Sequence, residues 1–500
     1  MGPRATASVH GFVKSYPDVD NTQGVIHASP SRAEDFLNSS PDPPVMLAEA
    51  LAAFVADIRY DDLPDEVVQK VRLHTLDLIG VCLLGARMPF ADMLHATVEQ
   101  SGGTAESTLI GRAAPLLPAT SAALFMGGVA HGNEFDDTYP PGRWHASAAT
   151  LPALLAVAEA LDVDGRAFVV AAAGAMEVGC RLTRAAPKLL VRGFHSTATA
   201  GVLCSALGVA RLMALAPAQI ANAMAVAGCF ASGTMEFLND PEAWPKRIQV
   251  GYAAQGAILA ARAAATGFMG PRSMLEGYYG YFRSYAGEGN YTLDEITSEL
   301  GKDWQLLNVY PKRYPCDHIA QGYLDCALAI SRPAPLTPEE ITRVEVIVHP
   351  LARAVMFEPH DLRYAPPNGW SARWSMPFNM AVALLDGGVS IDSYSDARAL
   401  DPITRGVMSK VIAVEDASLP FPGQYPAWVR VHTAQGGVRE RKQLWVAGSP
   451  ENPVDASEYE SKFVDNARRT LHPSRVGELV AMLRALPQLP SMRLLAASYA

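Results

Sequence analysis

Six cysteines in 500 residues, no two of them spaced as Cys-x-x-Cys, set the first exclusion. Zinc ribbons and iron–sulfur clusters hold their metal through closely spaced thiolates, and Cys82, Cys180, Cys204, Cys229, Cys316 and Cys326 offer none. Most of them lie in apolar segments, as buried free thiols of a reducing compartment do. Positive charge is also scarce: 41 Lys and Arg stand against 51 Asp and Glu, a formal net charge of −10. A nucleic-acid partner, which needs a basic face, is excluded. The first thirty residues contain no continuous apolar run and do not read as a secretory signal. Uncharged runs such as Leu212–Met235 contain Pro217, Gln219 and Asn222, so they read as buried helices and not membrane spans. Repeats and low-complexity tracts are missing. A cytoplasmic protein without membrane or nucleic-acid partners is expected. Its acidity leaves room for a local basic pocket that binds a small anion.

What is present is apolar and rich in small residues. Hydrophobic residues make up 49% and charged residues 18%, a globular composition, and 500 residues predict two domains. Residues 1–44 form a polar extension containing Pro and Ser. From there to about Gly267 the apolar spacing is three and four, the helical period. Asp65 is placed to cap "DEVVQKVRLHTLDLIGVCLLGA", and helices are predicted over Thr197–Met213, Pro217–Phe230 and Arg247–Ala265. No segment in this region reads as a strand. After Tyr310 the texture changes. "ITRVEVIVHP" alternates, with Val344, Val346 and Val348 on one face, and "WVRVHT", Gln435-Gly436-Gly437 and "VRERKQLWV" read as a hairpin. "SMPFNMAVALLDGG" between them reads as a helix. The fold class is therefore mainly α: a large all-helical domain (45–310 with 453–500) plus a smaller α/β domain (311–452).

The stretch "HGNEFDDTYPPGRWHASAAT" (131–150) concentrates His131, Glu134, Asp136, Asp137 and His145. His131 and Glu134 could share a helical face as metal ligands, the acidic and imidazole groups could do acid–base work, or Asp136, Asp137 and Thr138 could end one helix before the next begins. Local pattern leaves all three open. Downstream, Arg181, Arg184, Lys188 and Arg192 recur at three and four and read as a solvated basic face. His195 precedes a Ser-Thr helix start, where the positive end of the helix dipole lowers an imidazole pKa and favours the proton-accepting form. Lys246 follows Pro245 at the head of an apolar helix, and Lys312 lies between two prolines at the domain change. A lysine at such a junction can clamp a carboxylate, because clefts form there.

"HGNEFDDTY…HASAATLPALLAVAEA", "GFHSTATAG", "PKRIQVGYAAQGAILAA", "GFMGPRSMLEGYYGYF", "KRYPCDH" and "SMPFNMAVALLDGG" occur in this order. Together they resemble the MmgE/PrpD family, which includes 2-methylcitrate dehydratase, cis-aconitate decarboxylase and iminodisuccinate epimerase. The resemblance runs from about Pro44 to the C-terminus. It implies that the α/β domain is a lid over the helical one, that the protein is a homodimer, and that it works without metal or organic cofactor. It also implies a site between body and lid, with His145, His195, Lys246 and Lys312 catalytic and Glu134, Thr138, Gln249 and Phe378 binding substrate. In this picture the histidines carry protons and the lysines stabilise a carbanion beside a carboxylate. Glu134 orients a histidine, Thr138 donates a hydrogen bond, and Asp136 and Asp137 brace the loop. Departures from the common pattern are Glu134 in place of Asp, Gln249 where a histidine often stands, Phe378 in place of tyrosine, and a Tyr139–Trp144 loop one residue longer. The expected partner is a small polycarboxylate, and the first expected reaction is dehydration of a 2-methylcitrate-like acid. Decarboxylation of a cis-aconitate-type acid and epimerisation of an amino- or imino-dicarboxylate are the alternatives, beside a carboxylate-binding homologue without turnover.

Overall fold

The computed structural model describes residues 45–332 and 334–500; the polar extension expected over 1–44 lies outside the described residues. Among the described residues nine α-helices come first: α1 (Leu47–Asp57), α2 (Asp65–Gly85), α3 (Pro89–Glu99), α4 (Ala119–His131), α5 (Ala146–Leu161), α6 (Gly165–Ala185), α7 (Ser196–Leu212), α8 (Pro217–Ala227) and α9 (Lys246–Ala265). Small residues decide how closely they pack. A Cβ at Gly127 of α4 would lie 2.7 Å from the Cα of Gly251 in α9, and a Cβ at Gly251 would overlap the Leu124 carbonyl oxygen. The two helices cross backbone to backbone, which only glycine permits there. This crossing sets the end of α4 against the start of α9.

One apolar core takes residues from Ala48 to Val309 and again from Tyr459 to Tyr499. The last fifty residues join the same core through α12 (Ala456–Ala467), α13 (Pro473–Arg484) and α14 (Met492–Ser498). Phe463 of α12 packs on Gly80 of α2, and its full burial contributes about 2–3 kcal/mol. A second core spans Tyr314 to Val431. It lies between α10 (Ala320–Ser331), α11 (Met376–Asp386) and a four-stranded sheet of order β2-β1-β3-β4. β1 (Ile341–Val348) pairs antiparallel with β3 (Ala427–Thr433), and β3 with β4 (Val438–Gln443), which is the hairpin read from the sequence. Val344, Val346 and Val348 are all buried. β2 (Val411–Glu415) pairs parallel with β1; at five residues, without a turn signal, it escaped the sequence reading. The edge strand β4, "VRERKQ", is exposed and charged, which discourages edge-to-edge pairing.

Two local readings are corrected. Asp65 is the first residue of α2, with Pro64 in the cap position, so its charge acts on the first turn of the helix and not as a side-chain cap. Arg181 is not part of a solvated face. It is fully buried, paired with Glu177, and it donates to the backbone carbonyls of Ile296, Ser298, Glu299 and Asp303. Those carbonyls lie in the segment between α9 and α10, at and just after the short helix Asp294–Thr297, and the fan of donors satisfies them without water. Among the described residues no helix is long and apolar enough to cross a membrane.

Candidate active site

The 131–150 stretch is indeed a helix end followed by a helix start, and it is also one wall of a cavity. α4 stops at His131, the chain turns, and His145 is the residue before α5. Asp137 does the bracing. Its carboxylate accepts from the Ser147 backbone N–H at 3.0 Å and from the Ser147 hydroxyl, and lies 2.6 Å from the buried His74. It thus satisfies the open first turn of α5. Asp136, expected to brace as well, turns instead to the histidines: its Oδ2 is 2.7 Å from His131 Nδ1 and 3.5 Å from His145 Nδ1. Burial raises its carboxyl pKa, but the two facing imidazoles outweigh burial and hold it well below the usual carboxylate range. Thr138 exchanges two backbone hydrogen bonds with Tyr310, each 2.8 Å. That bridge brings the Lys312 segment across the loop.

Glu134 then meets both lysines. Its Oε2 is 3.0 Å from Lys312 Nζ, and its Oε1 pairs with Lys246 Nζ. All three groups are buried. The expectation that Glu134 orients a histidine is therefore corrected: it bridges the two ammoniums, leaving one net positive charge. Its backbone φ of +55° is in the left-handed region, an uncommon conformation for a side-chain-bearing residue and one that recurs at functional sites. Burial is the largest influence lowering both lysine pKa values. Lys312 pushes Lys246 down further, whereas Asp136 partly restores Lys312.

The hydrogen bonds assign the histidine tautomers. His145 Nδ1 is 2.7 Å from the Asp137 carbonyl, which can only accept, so Nδ1 carries the proton. Gln249 Nε2 donates to the Thr234 carbonyl, so Gln249 Oε1, 2.8 Å from His195 Nδ1, accepts from that ring. Both imidazoles keep a lone pair on Nε2, and neither Nε2 makes a hydrogen bond among the described residues. Burial lowers the His195 pKa to about 4, with His145 adding to the effect. His145 is lowered too, burial again first.

Glu134, Thr138, His145, His195 and Lys246 line one cavity of about 320 Å³. The other three assigned residues do not line it. Lys312 contacts Glu134 and Gln249 contacts His195, each from outside the cavity lining. Phe378 is fully buried in the second core, its ring 5.6 Å from that of Tyr394; α11 turns it away from the cavity and it does not bind substrate there. Sequence reading missed two groups and left His131 as an open candidate. Arg143 lines the cavity and makes no ion pair among the described residues. It sits at the turn of the longer Tyr139–Trp144 loop, which was the available signal. His318, six residues after Lys312, lines the same cavity with both ring nitrogens unpartnered, and burial lowers its pKa to about 3. His131 lies between the other two imidazoles, 4.8 Å from His145 and 5.1 Å from His195 by ring centroid. His131, Asp136 and His145 place one ligand atom each within 4.8 Å of one another, a set that could take a divalent transition metal. A metal held through Nδ1 would displace the hydrogen bonds to Asp136 and to the Asp137 carbonyl, whereas His131 Nε2 has no partner among the described residues.

The chain matches the MmgE/PrpD N-terminal domain over residues 49–294 and the MmgE/PrpD C-terminal domain over residues 314–487. Curated relatives include the cis-aconitate decarboxylase of Homo sapiens, 26% identical over 459 residues, which are 89% of this chain and 92% of the relative. The cis-aconitate decarboxylase-like protein oryM of Aspergillus oryzae is 26% identical over 75% of this chain and 80% of its own length. The cis-aconitate decarboxylase of Aspergillus terreus is 26% identical over 56% of this chain and 59% of its own length. Both family domains match in order along the same chain whose helical and α/β cores enclose this cavity, and the protein belongs to the MmgE/PrpD family.

Proposed function

We propose that this protein is a cofactor-independent lyase that breaks a bond beside a carboxylate of a small di- or tricarboxylate. One observation carries the reading: two imidazoles with free Nε2 lone pairs line the same cavity as a buried lysine whose charge is only half neutralised. One substrate carboxylate lies on Lys246 and a second on Arg143, so a dianion is held at two points. Breaking the bond leaves an electron pair on the adjacent carbon, delocalised into the carboxylate on Lys246, where the fixed positive charge stabilises it. The lowered pKa of Lys246 makes its ammonium a ready proton donor at the same spot. His145 and His195 are the bases.

The decarboxylase relatives favour loss of CO2 from a cis-aconitate-type acid as the first reading. Dehydration of a 2-methylcitrate-like acid, the first expectation from sequence, is the second. A neutral imidazole to remove the proton and an ammonium to protonate the departing hydroxyl both border the cavity. Incubation of the chelator-treated protein with cis-aconitate, 2-methylcitrate and iminodisuccinate, followed by NMR, separates the chemistries by product. The expected result is a decarboxylated product from cis-aconitate. Folded protein that converts none of the three overturns the reading, and activity lost on chelation and restored by a metal points to the His131–Asp136–His145 set.

A further inference from the structure

The cavity is lined by two unlike sets of residues. The polar set includes Glu134, Lys246 and the histidines described above, with Arg143 and Asp317. The apolar set includes Leu190, Val191 and Leu238 from the helical body and Leu351, Val355 and Phe421 from the sheet region. Val191 is 74% exposed and Leu351 55% exposed, so large aliphatic side chains are presented to solvent beside a charged site. Apolar groups gathered this way mark a surface that covers something. A compact, fully ionised acid uses only the polar set. Aliphatic side chains offer a carboxylate no partner. The volume, about 320 Å³, falls in the range of clefts that take drug-sized ligands.

We propose that the substrate is an alkyl-substituted di- or tricarboxylate: its carboxylates lie on Lys246 and Arg143, and a hydrocarbon tail of several carbons runs along this apolar wall. The proposal rests on the polycarboxylate reading and deepens it. The two halves of the wall come from parts of the chain with separate cores, so the tail is gripped by body and sheet region together. Each methylene laid on the wall raises affinity about fourfold, the equivalent of roughly 0.8 kcal/mol.

The test is calorimetric titration of the full chain with unreactive succinate, methylsuccinate, butylsuccinate and hexylsuccinate, with cis-aconitate alongside. Affinity is expected to climb by about fourfold per methylene until the wall is covered. The double variant Val191→Asp, Leu351→Asp changes two exposed side chains and is expected to fold. It should flatten that climb. Succinate binding with no gain from the tail overturns the alkyl proposal and leaves the lyase reading standing. A climb unaltered in the double variant overturns the placement of the tail. Folded protein that binds neither the succinates nor cis-aconitate overturns both readings.

Discussion

His195 is held neutral by burial first and by the neighbouring His145 second, and the rate and the stability of the protein both follow from that. The imidazole has to stay unprotonated to act as a base, so kcat/KM is expected to persist from pH 7.5 down to about 5, well below the usual histidine value of about 6.5. Stability takes the same sign. Above pH 6.5 neither the folded nor the unfolded ring binds a proton. Between 6.5 and about 4 the unfolded chain binds one and the folded chain does not, so folding weakens as pH falls. His195 alone accounts for roughly 3 kcal/mol of that loss, readable from chemical denaturation at pH 7 and pH 4.5. Gln249→Glu places a carboxylate on Nδ1 and should raise the ring's pKa by at least about one unit. The acid limb of the rate profile would move toward neutrality, which a purely structural Gln249 would not cause. His195→Ala and Lys246→Ala should each lower kcat by about 100-fold or more; near-normal rates in both would remove the site from this cavity. At this scale Lys246, Lys312, His145 and His195 were legible in sequence because their motifs are local. Arg143 and His318 were not, because a side chain becomes a site residue only once its neighbours have removed water from around it.

Helices position the chemistry through their contacts more than through their own residues. α9 delivers Lys246 at its first turn, and where that turn lies depends on the glycine crossing with α4. Gly251→Ala would drive a methyl group into the Leu124 carbonyl. The expected cost is about 1–3 kcal/mol in denaturant unfolding, with kcat reduced as Lys246 shifts away from Glu134. The helical period alone reveals α2, α7 and α9 to within a residue or two. It does not reveal that Arg181, spaced like a surface charge, points inward to satisfy a carbonyl-rich loop. β2 was invisible for a related reason: its five residues are a strand because β1 lies alongside them.

For the whole molecule, the homodimer implied by family resemblance is a proposal to which the surface adds detail. Ile248, Tyr252 and Leu259 are exposed on α9 and, four and seven residues apart, share one face of that helix. We expect this face to be covered by a second copy, so light scattering after size exclusion should report a dimer. Tyr252→Glu with Leu259→Glu should yield a monomer, and a monomeric parent chain would rule the contact out. Within one chain, the two cores meet around aromatic and guanidinium groups. Arg247 at the start of α9 stacks 4.1 Å from the ring centre of Trp370, and Arg373 donates to the carbonyls of Asn133 and Pro315. These contacts tie the 131–150 stretch to the Lys312 segment.

Composition and period by themselves determined a helix-rich body, a mixed module after Tyr310 and a return to helices at the end, because helical and strand periods and turn residues are properties of neighbours in the chain. The ordered motifs determined which lysines and histidines to examine. Only the tertiary structure decided that Glu134 belongs to the lysines and not to a histidine, that Gln249 and Lys312 contact residues of the cavity lining without belonging to it, that Phe378 is core, and that large aliphatic side chains share the cavity lining with charged groups. Those outcomes depend on which groups share a space emptied of water, and residues as far apart as 134, 246 and 312 come to share it only when the helices and the sheet region have packed.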